Sequence, residues 1–441
     1  MSFAVTSEEP STALSREHGE LVCRLARELY PDLFELYTRL HSEPELSGQE
    51  VRTAGRVASL LRSAGYQVTE GVGGHGVVGV LENGDGPAVL VRADLDALPI
   101  EEKTGFPYAS TAKGTLTGTG EVGVMHACGH DVHIAVLIGA ARALSLLKDR
   151  WRGTLIMVAQ PSEEVGAGAQ AMIDDGLFTR FPRPDCALAL HVMPSLPAGR
   201  VGFREGLFWA GCASLEVVVR GRGGHGSRPH ETSDPVVMAA ETILLLQTIV
   251  SREIEPTETA VLTVGSIHGG TKGNIIPEEV VLQVNYRYFS GDTGNRLRAS
   301  IERTARGVAF AAGVPEERMP TVTDLYSGQP ILNDPKLTRR LAASFRSVLG
   351  KENVLRMNRF TFSDDFSHFG CCEPKIPLCY FLLGSSGKES MHGRKALDNV
   401  PGLHNPEFSP DPEPTITTGV KAMTAAVLEA LLAMHAISNQ H

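Results

Sequence analysis

Nine consecutive residues, Met125-His126-Ala127-Cys128-Gly129-His130-Asp131-Val132-His133, hold one thiol and three imidazoles. Three other stretches carry groups of the same kind. Asp94 and Asp96 follow the apolar run AVLVR, Glu163 and Glu164 follow TLIMVAQPS, and His191 follows ALAL. Each has a bland reading: a turn ahead of a helix, a solvated acidic loop, a hydrogen-bonded histidine. Together they share one position, the carboxyl ends of apolar strands, where parallel α/β sheets gather their chemistry. Thiolate, imidazole and carboxylate are the donors preferred by Zn²⁺, with Mn²⁺ and Co²⁺ as alternatives. Two adjacent glutamates can divide the labour. One carboxylate holds metal, and the other, unligated, takes a proton from water.

Two glycine patterns point elsewhere and fail. Gly71–Gly76 and Gly221–Gly226 both fit G-x-G-x-x-G. A dinucleotide loop must open directly into a helix whose amide end meets the phosphates. The first runs into the apolar strand VVGVL, and the second meets Ser-Arg-Pro before any helix.

The elements that must position these groups show in the hydrophobic periodicity. Apolar residues recur at helical spacing over Glu20–Tyr37 and Val51–Ala64, after a loose tail over residues 1–20. Val77–Leu81, Ala88–Val91, Thr154–Ala159 and Asp185–Leu190 read as strands, and His133–Leu147 as an apolar helix. Near Leu207 the pattern changes. Strand Ser214–Val219, helix Asp234–Ser251, strands Ala260–Ile267 and Val280–Tyr288, helix Thr293–Ala312 and strand Thr321–Tyr326 follow in turn. That order is βαββαβ, the ferredoxin-like pattern. Strand Leu378–Leu383 and helix Ile416–Met434 then resume the first pattern. The fold class expected is α/β: a mainly parallel-sheet catalytic domain over 20–206 and 327–441, with an inserted ferredoxin-like lid over 207–326.

Composition bounds the partners. A chain of 441 residues is too long for one ordinary core. Its net charge of −10 argues against a basic nucleic-acid face. Charges interrupt every long apolar run, so no membrane span is expected. The N-terminus lacks the basic start and apolar stretch of a secretory signal. Seven scattered cysteines suit a reducing compartment. A cytoplasmic location is the expectation. Cys23, Cys186, Cys212 and Cys379 lie in apolar surroundings and read as buried thiols.

The stretches VRADLDALPIEE, GVMHACGHDVHIAVLIGAA, QPSEEVGAGAQAMIDDG, GRGGHGSRPH, GGTKGNIIPEEV and LHNPEF follow one another in order. Over roughly residues 30–435 this resembles the aminoacylase/carboxypeptidase family of dinuclear metallopeptidases. It is most similar to the amidohydrolase branch, which includes hippurate hydrolases and plant indole-acetyl-amino-acid hydrolases. The resemblance implies two divalent metal ions, Zn²⁺ foremost. Cys128 would bridge them, with His130 and His191 on one and Glu164 and His404 on the other. Glu163 would be the general base. Asp94 would orient a metal-ligating histidine from behind. His225 and Asn274, with Arg287, would reach the scissile carbonyl or the substrate carboxylate. His404 has a rival in His392, and its H-x-P-x-F context favours it. His126 and His133 match no ligand position, and helix-start or surface roles suit them. The carboxypeptidase branch has His at Arg92 and a bridging Asp at Cys128, so both positions point to the amidohydrolase branch. Gly129 lets the backbone turn tightly between Cys128 and His130, and Asp131 suits a helix start.

The activity implied is hydrolysis of an N-acyl amino acid to a carboxylic acid and a free amino acid. The alternatives are dipeptide or ureide cleavage on the same centre, or a non-catalytic metal- or ligand-binding relative. The partners expected are a small-molecule substrate and a second copy of the chain, in a homodimer or higher homo-oligomer formed through the lid.

Overall fold

The structure, a computed structural model, describes residue 12 and residues 14–116, 118–387 and 400–438. His392 lies outside the described residues. The chain divides into two compact units. One takes the described residues up to Gly206, Leu332–Asn358 and the described residues from His368 onward; the other takes Leu207–Ile331 and Arg359–Ser367.

The first unit is built on one large sheet. Its strands lie in the order Gln67–Val72, Gly76–Asn83, Gly153–Gln160, Ala88–Asp94, Cys186–Pro197, Leu378–Ser386, Ile331–Asn333. From Gly153–Gln160 onward neighbours along this order run parallel, while the first two strands form an antiparallel edge. The parallel strands are apolar on both faces because helices cover them. Ala88–Asp94 and Leu378–Ser386 are buried at every residue. Helices His130–Leu146, Pro335–Leu349 and Pro412–Ser438 pack onto the sheet, and Arg16–Ser42 packs against these three helices. Arg16–Ser42 starts earlier than its apolar spacing suggests, because Ser15 Oγ accepts the His18 N–H and caps it. The short hairpin Lys113–Leu116 and Gly120–Gly123 carries no apolar period and is not foreseen.

The second unit has a four-stranded antiparallel sheet ordered Val261–Gly269, Glu279–Tyr288, Gly211–Arg220, Thr321–Gly328. Helices Pro235–Arg252 and Gly291–Ala311 complete the ferredoxin-like connection order. Their apolar sides join Leu215, Val217, Leu282 and Val284 in a separate core. The segment Arg359–Ser367, expected with the catalytic unit, belongs here. Ala210 N donates to the carbonyls of Phe360 and Phe362, and the Arg359 guanidinium lies 4.7 Å over the Phe289 ring.

The expectation that no apolar run reaches spanning length needs correction. Pro235–Arg252 and Pro412–Met434 are both long and apolar enough by length and composition. The second is 89% buried and is the central helix of the first core, which accounts for its apolarity. Pro235–Arg252 is only 33% buried and keeps an apolar side uncovered.

Candidate metal centre

Four segments of the first unit deliver the candidate ligands. Gly129, at φ 78°, is the N-cap of helix His130–Leu146, so Cys128 lies just outside the helix and His130 opens it. The helix begins earlier than its apolar run because Asp131 Oδ1 accepts the Val132 N–H at 2.8 Å and satisfies a first-turn amide. Strand Gly153–Gln160 feeds the turn holding Glu163 and Glu164. His191 lies within strand Cys186–Pro197, not at its end, since this strand goes on pairing with Leu378–Ser386 past Leu190. His404 arrives on a loop whose amide donates to the Ala127 carbonyl at 2.9 Å, joining the last segment to the first.

The ring orientations decide what these groups can do. His130 donates from Nδ1 to the Asp96 carbonyl at 2.8 Å. His191 donates from Nδ1 to the Val192 carbonyl at 2.7 Å. Each ring then faces the site with Nε2, which offers a lone pair once any proton there is displaced. His191 Nε2 lies 3.4 Å from Cys128 Sγ, and His404 Nε2 lies 3.3 Å from the same sulfur. His130 Nε2 faces Glu164 Oε1 at 3.8 Å and Glu163 Oε2 at 4.0 Å. His404 Nε2 is 3.5 Å from Glu164 Oε2. Donor atoms of Cys128, His130 and His191 lie within 4.8 Å of one another, and so do those of Cys128, Glu164 and His404. The two triads share one atom, Cys128 Sγ. His130 Nε2 and Glu164 Oε1 are buried with no hydrogen-bond partner among the described residues. Such a crowd of buried ligand atoms needs protons or cations between them, and the donor types suit Zn²⁺. The residues therefore fit a metal pair.

The electrostatics agree. Burial pushes the Cys128 thiol well up, and Glu164, Glu163 and Asp94 add to the shift. Burial also raises the Glu164 carboxyl, to about 7. Burial alone would lower His130, yet Asp94, Asp96 and Glu164 outweigh it and hold the ring at about 10. His191 is held well below its ordinary value, by burial and then by neighbouring His133. A thiol and a carboxyl displaced towards their protonated forms are groups that bound cations would ionise.

Several expected positions need correction. Asp94 does not stand behind a ligand candidate. Its Oδ1 takes the His133 Nδ1 proton at 2.6 Å, its Oδ2 takes one from Arg92 at 2.7 Å, and it meets His130 only at Nε2, 3.7 Å away. The residue that fixes the His130 ring is Asp96, through its backbone carbonyl, with its carboxylate 3.4 Å from the same Nδ1. His133 is buried rather than on the surface, and its Nε2 accepts the Val192 N–H at 3.0 Å, which leaves no lone pair for a metal. His126 is also buried, and burial lowers it to about 4. Of the thiols read as buried, Cys186, Cys212 and Cys379 are, while Cys23 is half-buried and donates to the Val348 carbonyl.

In the second unit, His225 is exposed in a two-residue strand paired with Ile275–Ile276. Ser227 N donates to His225 Nδ1 at 3.1 Å, so the neutral ring carries its proton on Nε2. Gly226 N donates to the Asn274 carbonyl at 2.9 Å, which brings His225 and Asn274 together. Arg287 lies eight residues along strand Glu279–Tyr288 from the end nearest them, about 27 Å of extended chain. One lid therefore does not gather all three around a single small molecule.

Residues 90–429 match the family described as Peptidase family M20/M25/M40. The chain belongs to this family. N-acetyl-L-cysteine deacetylase of Bacillus subtilis is 34% identical over 82% of this chain and 83% of its own length. Thermostable carboxypeptidase 1 of Saccharolobus solfataricus is 33% identical over 82% of this chain and 88% of its own. Among solved structures, the YXEP protein of Bacillus subtilis, described as a dinuclear metal binding peptidase of the M20 family, superposes with a TM-score of 0.71. It is 26% identical, over 92% of this chain and 99% of its own. The chain is thus a metal-dependent amide hydrolase by family.

Proposed function

We propose that this protein hydrolyses N-acyl amino acids to a carboxylic acid and a free amino acid. The observation that carries this reading is the pair of donor triads sharing Cys128 Sγ, with Glu163 beside His130. Cys128, His130 and His191 would hold one divalent cation and Cys128, Glu164 and His404 the other, Zn²⁺ first. When bound, the ions would supply Lewis acidity to the amide carbonyl and acidify water. Glu163 takes the proton of the attacking water as its oxygen bonds to the carbonyl carbon, then passes that proton to the leaving nitrogen as the C–N bond breaks. His225 donates its Nε2–H to the carbonyl oxygen as negative charge builds there. Asn274 and Arg287 hold the substrate carboxylate.

The lid makes a homodimer in this reading. Among the described residues strand Val261–Gly269 ends its sheet with one side unpaired, and Ile267 on it is exposed. Helix Pro235–Arg252 exposes Val237, Leu244 and Leu245. An open strand edge and an uncovered apolar helix side are what a second copy would cover. Two subunits would also bring Arg287 of one lid and the His225–Asn274 pair of the other within reach of a common substrate.

The name of the Saccharolobus relative favours a second reading, dipeptide hydrolysis on the same centre. A panel of N-acyl amino acids, dipeptides and ureides on metal-reconstituted protein, read by amine release, separates the two. The mechanism itself is tested by Glu163→Gln. This variant should keep its metal content and lose at least about a hundredfold in turnover. Retained turnover would remove Glu163 from the role.

A further inference from the structure

The turn that carries the glutamate pair is held in a backbone conformation that its own sequence does not favour. Ser162 has φ 55°, in the left-handed region that non-glycine residues avoid. Such a conformation persists only where the surroundings over-determine it. Here a distant buried carboxylate does so. Glu50 is completely buried, and its Oε1 accepts the Ser162 N–H at 2.8 Å and the Gly48 N–H at 2.9 Å. Its Oε2 has no partner among the described residues. Glu50 stands at the N-cap of helix Val51–Ser63 yet makes no side-chain cap there, so its carboxylate serves the turn instead of its own helix.

The far end of the turn is gripped in the same way. Glu164 N donates to Asp96 Oδ2 at 3.0 Å, and Ser47 Oγ donates to that same oxygen at 2.6 Å. The Ser162 carbonyl accepts from Ala167 and Gly168. The amides on either side of Glu163 are thus fixed by buried carboxylates, one from the Ser47–Glu50 segment and one tied to it. A glutamate carries three side-chain torsions, so its position depends on its backbone.

We infer that Glu50 is a positioning residue that holds Ser162 left-handed and thereby fixes Glu163 at the reacting centre. The inference rests on the reading of Glu163 as general base. Glu50 is fully buried and its hydrogen bonds go to Gly48 and Ser162 and not to the ligand candidates, so in this inference it acts on the rate through geometry. Its loss should leave metal content and KM near wild type and lower kcat about a hundredfold, the scale of a 1 Å misplacement. Burial, with the Asp96 charge adding to it, raises the Glu50 carboxyl, so glutamine is a close mimic. Its carbonyl oxygen can accept the same two amides.

The experiment compares Glu50→Ala, Glu50→Met and Glu50→Gln by kcat, KM and metal content per subunit. Methionine fills the space without an acceptor and carries the test if the alanine variant does not fold. The expected result is a large fall in kcat for the alanine and methionine variants at full metal content, with rescue by glutamine to within about threefold. Placing Ser162→Gly in the Glu50→Met background should recover part of the loss, because glycine takes this φ without strain. Unchanged kcat in metal-loaded Glu50→Met would overturn the inference, as would a fall that follows lost metal. Glu163→Gln, run alongside, keeps the two ideas apart. If it is inactive while Glu50→Met is fully active, only the positioning role fails; if it is active, the base assignment fails first.

Discussion

Imidazole nitrogens from three segments face one thiol and a pair of carboxylates, and that arrangement gives the site its chemistry. The residue types were legible in the sequence, because acid, thiol and imidazole recur where apolar strands end. Their partnerships were not. Asp94 pairs with His133 and Arg92, His126 lies in the interior, and Glu50 reaches across 112 residues to Ser162. Contacts over such separations leave no periodic trace in the chain. A buried ion cluster next to the site shows the same. His41 bonds Asp131 through Nδ1 at 2.7 Å and Glu102 through Nε2 at 2.9 Å. Burial works against its charge, but the two carboxylates raise it from 6.5 to about 9. A raised pKa stabilises the fold fully below pH 6.5, and the contribution is lost as pH rises through 9. The shift corresponds to on the order of 3 kcal/mol. Denaturant unfolding of wild type and His41→Gln should therefore differ most near pH 6 and converge above pH 9. A difference constant across that range would remove the charge-linked role.

The elements most legible in the sequence were those with a long apolar period, such as the helix ending at Leu146 and the strands through Val91, Ala159 and Leu383. Those set by local caps or by pairing were not. Ser15 and Asp131 draw two helix starts earlier, and the strands Lys113–Leu116 and Gly120–Gly123 only half-bury Leu116 and Val122 against Leu46, Ala97 and Val124. Between Cys128 and His130 the decisive residue is Gly129. At φ 78° a Cβ there would stand 2.5 Å from Val192 Cγ2. Gly129→Ala should cost roughly 2 kcal/mol or more from strain and overlap, and should weaken metal binding by displacing the two flanking donors. Gly55, inside helix Val51–Ser63 with open space around it, is the control. Gly55→Ala should leave stability unchanged or slightly raised. Thermal unfolding together with metal titration of the two variants checks both. Equal behaviour would mean that the turn tolerates a side chain and does not set the ligand spacing.

At the scale of the whole molecule, the βαββαβ order of the second unit was legible because each of its elements is amphipathic in its own period. The return of Arg359–Ser367 to that unit was not, since it rests on backbone bonds to Phe208 and Ala210 and on ring contacts of Arg359, Phe360 and Phe362 with Phe289, Phe208 and Trp209, and not on any pattern. If the lid of one subunit serves the site of another, Glu163→Gln and His225→Ala subunits should complement. Random reassociation makes half the dimers mixed, each with one complete site, so about one quarter of wild-type turnover should return. No recovery in verified mixed dimers would mean that His225 acts within its own chain or not at all. The central claim is the shared metal pair, and anomalous diffraction from crystals of metal-loaded protein tests it most directly. Two peaks are expected, both touching Cys128 Sγ, one also bound by His130 and His191 and the other by Glu164 and His404. Peaks elsewhere, or none among these five side chains at full metal loading, would contradict it.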